Sequence, residues 1–423
     1  MSPEQESTLH LAKVFGSAVQ RNVLIEVPLP RRLDRDRIRS ALVQLSEIHP
    51  ALRYALSPND SSRQYISDRP LSLDPAHDGK IPEVDACRLA LRLRSPGRDN
   101  GPRGYAEIHH AEDGRPTLLA AFDHLICDGA SRDILIRHII ELTSGLDIPT
   151  PAVTLKKYCT DRISVYTQER TGEQECNSWS RLLQNVRPLT GLHESMLSAA
   201  PARQGSATWK SSAIYPAVRA LVSETRSTPF AVVAGLLAIA IWRRTRIESS
   251  ALVTPISNRR TAPLENLVAN LVNERPIPYR VKPEMTPKRV IELIQQNTYS
   301  AMQNSQVSIP TLGERVPEFS DFFDGNGVNY LQLQVTSAER DDPGFRDVQD
   351  GFGIDVDAGI YQPSSSVTCT IMRVHIMPSA VRIGTFHGGS LGGHEVAKHL
   401  SEELKDLMEM SIEQANRPLS SYA

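Results

Sequence analysis

Apolar positions along the chain follow two rhythms, and each change of rhythm marks an element. Asn22 to Leu29 (NVLIEVPL) is a short, mostly apolar run that meets proline, which predicts a strand and its end. From Asp34 to Ile48 the spacing changes: Ile38, Leu42, Leu45 and Ile48 share one helical face, with Asp34 as the cap. His49 to Arg53 and a short strand to Leu56 follow. Pro58 to Lys80 is polar and turn-rich and predicts no regular element. Tyr105 to His110 and Thr117 to Phe122 read as strands flanking Glu112-Asp113-Gly114, a hairpin signal. Ser131 to Leu142 returns to helical spacing through Ile134, Leu135, His138, Ile139 and Leu142.

Past Asp147 to Thr154, a linker-like stretch, Tyr158 to Leu183 predicts two short helical pieces. Gly191 to Ser211 is rich in Ala, Ser, Gly and Gln and poor in large apolar residues. The division into lobes is placed there: residues 1–190, including a crossover at 147–185, and residues 191–423. Ser227-Thr228-Pro229, a capping residue followed by proline at the first helical position, opens a strongly apolar helix through Trp242. Leu252 to Ile256 is a strand and Pro287 to Met302 an amphipathic helix. Val328 to Val335, Val367 to His375 and Ala380 to Phe386 are strands, and His394 to Met408 is a closing helix. A chain of 423 residues exceeds one ordinary core, which also predicts two lobes.

Composition narrows the function classes. A formal net charge of −2 offers no electrostatic reason for binding nucleic acid or an anionic membrane. The five cysteines are scattered and form no C-x-x-C pair, so neither a metal site nor a disulfide framework is expected, and a reducing cytoplasm fits. Met1 to Glu6 is polar and acidic, unlike a secretory leader. The run Phe230 to Trp242 is too short to span a bilayer and reads as a buried helix, so no transmembrane segment is expected. Phosphate-loop, dinucleotide and zincin motifs are missing.

Three patterns compete for the chemistry. His109-His110-Ala111-Glu112-Asp113-Gly114 falls in the predicted hairpin, where the two histidines point to opposite faces. Gly388-Gly389-Ser390-Leu391-Gly392 matches G-x-S-x-G between a strand and a helix. The chain that follows is too short to present an acid and then a histidine in the usual order, which weighs against a serine hydrolase using Ser390. The third pattern, Asp123-His124-Leu125-Ile126-Cys127-Asp128-Gly129, joins a buried strand to an amphipathic helix. His124 is a candidate neutral general base, and Asp128 is a candidate partner for an arginine that fixes the loop. Gly129 is expected to relieve the turn. Cys127 is a rival nucleophile, but alternation puts it on a different face from His124, as a structural thiol.

In this order along the chain, Leu33 to Arg53, Asp123 to Gly129, Leu155-Lys156-Lys157-Tyr158 with Trp179, Phe230 to Arg259, Leu267 to Pro276 and Asn329-Tyr330-Leu331 resemble the motif segments of the condensation-domain superfamily of acyltransferases. That superfamily includes the condensation domains of nonribosomal peptide synthetases and stand-alone polyketide-associated acyltransferases. Asp123 to Gly129 is similar to its H-H-x-x-x-D-G motif, with Asp123 in place of the first histidine. Ala269 to Glu274 lacks the glycine and aromatic of the G-x-F-V-N-T segment, and Asp350 to Gly353 only faintly follows D-F-G-W-G. The resemblance implies an α+β fold of two chloramphenicol-acetyltransferase-like lobes in a V, with a tunnel between them. It also implies an acyltransferase in lipid, polyketide or peptide natural-product biosynthesis. The acyl group would pass from an acyl-CoA or acyl-carrier-protein thioester to a small-molecule alcohol or amine, forming an ester or amide without metal or bound cofactor. His124 would act on the acceptor's proton, while Asp128, paired with Arg53 or Arg259, would be architectural together with Asp123 and Gly129. A non-catalytic module that binds a carrier protein is the alternative.

Overall fold

The computed structural model describes residues 1–15, 22–30, 34–57, 60–71, 104–110, 116–167, 169–189, 205–323, 329–337, 368–388, 393–410 and 412–422. It opens on α1 (Pro3–Phe15), then β1 (Asn22–Pro28) and α2 (Arg35–Ile48), whose N-terminus is capped by the Asp34 side chain. A 3₁₀ turn over Pro50–Arg53 leads into the β2–β3 ribbon (Tyr54–Ser57 and Asp60–Ile66). Then come β4 (Gly104–His110), β5 (Pro116–Asp123), α3 (Gly129–Thr143), α4 (Leu155–Thr167) and α5 (Glu169–Leu182). Strands β1, β5 and β4 form an antiparallel sheet with β5 central, and every residue of β5 before Asp123 is buried. Burial on both faces explains why this strand is apolar throughout rather than alternating.

The remainder builds a larger mixed sheet. Its elements are β6 (Gly205–Ser211), α6 (Tyr215–Thr225), α7 (Pro229–Thr245), β7 (Ser249–Ser257), β8 (Val272–Arg280), α8 (Pro287–Gln303), α9 (Ile309–Arg315), β9 (Asn329–Ser337), β10 (Thr368–Met377), β11 (Ala380–Gly388) and α10 (Gly393–Met408). The strand order is β6-β11-β10-β9-β7-β8, with β9 parallel to both β10 and β7 and the other pairs antiparallel. Helix α7 lies within the core: Ala231 to Trp242 are buried on all sides, the burial expected of a helix apolar all round. It packs so closely on α8 that a Cβ on Gly235 would lie 2.7 Å from Ile291 Cγ1. No single helix among the described residues is long and apolar enough to cross a membrane.

Two hydrophobic cores underlie the two sheets. The first is built on β1, β5, α2 and α3, the second on α7, α8 and the six-stranded sheet. The division is not strict: Leu264, Leu267, Val268, Ala269 and Leu271, which follow β7, are buried in the first core. The fold is thus α+β with mixed sheets and flanking helices.

Six of these elements escape the hydrophobic pattern: α1, β3, β6, α6, β8 and α9. Strand β3 (DSSRQYI) is a polar edge paired only with β2, so it has no apolar face to advertise it. Strand β8 contains Pro276 and Pro278, which its edge position tolerates. Glu4, Gln5 and Ser7 of helix α1, and Ser2 just before it, are buried with hydrogen bonds rather than along an apolar stripe. The hairpin tip at 111–115, most of the low-complexity region before β6, Asp350 to Gly353 and Ser390 lie outside the described residues.

Candidate active site at the β5–α3 junction

Strand β5 ends at Asp123, whose side chain makes the turn that follows. Its Oδ1 accepts the Leu125 amide at 2.9 Å, and the Ile126 amide returns to the Asp123 carbonyl at 3.0 Å. This is the local turn chemistry for which aspartate is suited. His124 is second in the turn. Asp123 and His124 keep partial exposure, whereas Leu125, Ile126, Cys127 and Asp128 are buried. Burial pushes the Cys127 thiol well above its ordinary range, and the neighbouring Asp128 carboxylate adds to the effect. A buried, protonated thiol is a poor nucleophile.

Asp128 is fully buried and gathers donors from three segments. Oδ1 accepts the Ser131 amide at 2.8 Å, capping α3, and Arg259 Nη2 at 2.9 Å; Oδ2 accepts the Leu271 amide at 3.0 Å. Arg259 is itself largely buried. Its Nη1 donates to the carbonyls of Leu264 (2.8 Å) and Leu267 (2.6 Å), and its Nη2 also reaches Ser131 Oγ (2.9 Å) and the Ala269 carbonyl (3.1 Å). Ser131 Oγ lies 2.8 Å from both Asp128 Oδ1 and the Ala269 carbonyl, and accepts the Ala269 amide at 3.0 Å. Both terminal nitrogens of the guanidinium and both carboxylate oxygens are hydrogen-bonded, which offsets much of the desolvation of this buried ion pair, while Arg259 Nε has no partner among the described residues.

Of the two arginines named for Asp128, Arg259 reaches it. Arg53 donates Nε–H to the Ser46 carbonyl at 3.2 Å instead. Gly129 requires a correction. Its backbone is not left-handed and a Cβ there would meet nothing within 4 Å, so the turn does not need glycine. The residue leaves open space at the start of α3, where the amides of Gly129 and Ala130 precede the helical ladder that begins with Arg132. His109 and His110 close β4 opposite Thr117 and Pro116, in the hairpin pairing expected of them.

Sequence reasoning missed Ser131, Gln5 and Glu4. Ser131 stands three residues after the capping aspartate, a spacing that signals an N3 position. Gln5 and Glu4 carry no such signal. Gln5 Nε2 donates to the Leu125 carbonyl at 3.0 Å, in the turn that holds His124. Glu4 Oε1 accepts Tyr158 Oη–H at 2.8 Å and Asn258 Nδ2–H at 2.7 Å, the latter one residue before Arg259. Burial and the Glu4 carboxylate together push the Tyr158 hydroxyl upward, so it stays a donor. Among the described residues no group of three or more His, Cys, Asp or Glu side chains is placed to hold a metal ion.

Known proteins share the sequence pattern and the fold of this chain. The family model described as "Condensation domain" matches residues 1–323. Tyrocidine synthase 3 of Brevibacillus parabrevis is 23% identical over 351 residues, covering 79% of this chain but 5% of the synthase. The chain therefore spans a small fraction of the curated relatives it matches. Among solved structures, the X-domain from teicoplanin biosynthesis, in complex with OxyB, superposes with a TM-score of 0.76 at 17% identity, covering 100% of this chain and 95% of that one. The condensation domain from monacolin K polyketide synthase MokA gives 0.75 at 14% identity, over 99% and 98%. At such identities the likeness is one of fold.

Proposed function

The chain belongs to the condensation-domain family, and on that footing we propose that it transfers an acyl group from a carrier-bound thioester to an amine or hydroxyl acceptor, giving an amide or ester in peptide natural-product synthesis. One observation carries the reading. His124 keeps partial exposure at a junction whose next four residues are buried and whose Asp128 is held by Arg259 from beyond β7. In this reading the acceptor's nitrogen or oxygen attacks the thioester carbonyl as His124 takes its proton. The new C–N or C–O bond forms, the C–S bond breaks, and the departing sulfur is protonated to a free thiol. The Gly129 and Ala130 amides belong to the positive N-terminal end of α3, a favourable place for the carbonyl oxygen as it gains charge. We place the division between the lobes near residue 190, with Asp123, Gly129 and Arg259 shaping the junction and Arg53 bracing Ser46 beside it.

The experiment is single-turnover transfer from a panel of carrier-bound acyl thioesters to amine and alcohol acceptors, following free thiol, with coenzyme A thioesters as a second donor set. His124→Ala is expected to lose roughly 10²–10⁴-fold in rate. A folded, fully active His124→Ala protein sinks the mechanism. A second reading, a binding module without chemistry, has its own support: Asp123 stands where the motif has histidine, and the similar X-domain is solved in complex with OxyB. Carrier-protein binding without turnover of any thioester decides for it.

A further inference from the structure

The proposed mechanism assigns nothing to α1, yet the first turn of that helix touches both sides of the junction. Gln5 is fully buried and its amide is saturated. Gln5 Nε2 donates to Gln64 Oε1 at 3.1 Å, and Gln64 Nε2 donates back to Gln5 Oε1 at 3.0 Å. Nε2 also donates to the Leu125 carbonyl at 3.0 Å and Oε1 accepts the Ser2 amide at 3.0 Å; a carbonyl can only accept and an N–H only donate, so these two contacts fix which end of the Gln5 amide is nitrogen. Leu125 directly follows His124, and its own amide is held from the other side by Asp123 Oδ1. The Leu125 residue is thus clamped at both ends. Glu4, equally buried, accepts from Asn258, the neighbour of the Arg259 that pairs with Asp128. Thr8, one turn on, accepts Asn270 Nδ2–H at 2.7 Å, between the Ala269 and Leu271 backbones that close around Asp128 and Ser131.

We infer that Gln5 is a positioning residue for His124, aiming its ring through the Leu125 carbonyl, with Glu4 setting the Arg259 side of the same junction. The helix reads as a splint: adjacent side chains hold the base-bearing turn and the loop that anchors the motif aspartate. A purely structural helix would cost stability when cut. A splint for His124 changes the state of that ring first. The inference rests on the proposed role of His124, so its test includes a readout that does not depend on turnover.

Gln5→Met keeps length and removes the donor; Gln5→Asn keeps the donor but withdraws it by one methylene, and serves if the methionine variant misfolds. Ser7→Ala is the control, because Ser7 Oγ accepts only the Ile309 amide at 2.9 Å on the far side of α1 and donates within the helix. His124 ring resonances, assigned by their loss in His124→Ala, are followed against pH by NMR, beside kcat, KM and melting temperature. The Gln5 variants are expected to shift the His124 resonances and titration midpoint and to lower kcat roughly 10- to 100-fold, with KM within about threefold. Ser7→Ala is expected to lower the melting temperature comparably and leave both unchanged. Unaltered His124 resonances in a folded Gln5 variant, or a kcat loss no greater than that of Ser7→Ala, overturn the inference. If the parent protein transfers no acyl group, the functional reading fails, and the ring titration alone still decides whether Gln5 positions His124.

Discussion

His124 and Asp128 stand four residues apart and are set in opposite surroundings. Partial exposure leaves the imidazole accessible to a reaction partner, while full burial commits the carboxylate to Arg259, Ser131 and Leu271. Removing the charge of Asp128 leaves the Arg259 guanidinium buried without a counter-ion, the costly half of a broken pair. Asp128→Asn is therefore expected to lower unfolding free energy by about 3 kcal/mol or more, and His124→Ala by under about 1 kcal/mol. Urea titrations of both variants check this, and equal losses would contradict the division of roles. The residue types and spacing of this junction were legible in the sequence, as was an arginine partner. Which arginine was not, because Arg53 and Arg259 are alike as residues and only the path of the chain past β7 brings one of them to Asp128.

Between elements, helices α2 and α3 meet through a histidine pair that the proposed chemistry does not use. His49, at the C-terminal end of α2, stacks on His138 of α3 with ring centroids 5.1 Å apart, and its Nε2 lies 2.9 Å from His138 Nδ1. Burial, and then the neighbouring His138, pulls the His49 pKa down to about 3; His138 is lowered too, by burial and Arg137 against the opposing Glu141. Both rings are thus neutral when folded and take protons more readily when unfolded, so stability is full above the unfolded value and lost as pH falls below it. From an unfolded pKa of about 6.5, His49 alone accounts for about 2 kcal/mol lost between about pH 7.5 and pH 5. His49→Gln is expected to flatten that slope in urea unfolding measured across this range; an unchanged slope would assign the acid sensitivity elsewhere. Helix α2 was legible from its apolar face and its Asp34 cap, whereas α1 and β3 were silent. The inward positions in the first two turns of α1 and Gln64 in β3 are polar, and Glu4, Gln5 and Gln64 find hydrogen-bond partners in segments remote in sequence.

At the scale of the molecule, the two cores are coupled by segments that cross between them. The loop after β7 inserts Leu264, Leu267 and Leu271 into the first core, and Glu175 of α5 accepts the Val307 amide at 3.2 Å and lies 3.6 Å from buried Arg275 of β8. The three tryptophans, Trp179, Trp209 and Trp242, all report on the second core. Urea unfolding followed by tryptophan fluorescence is therefore expected to coincide with unfolding followed by far-ultraviolet circular dichroism. Arg259→Ala, which cuts a tie across the junction, is expected to move the fluorescence midpoint above the circular dichroism one. Separate transitions in the parent protein would show the cores to be independent. Local pattern alone determined most strands and helices, the buried character of α7 and the strand-to-helix setting of His124, because periodicity and capping act over a few residues. Only the tertiary structure decided that Arg259 holds Asp128, that Gly129 opens space rather than easing a turn, and that α1 braces the junction. The first and last of these depend on groups more than a hundred residues apart meeting out of water, where a buried polar atom left without a partner is costly.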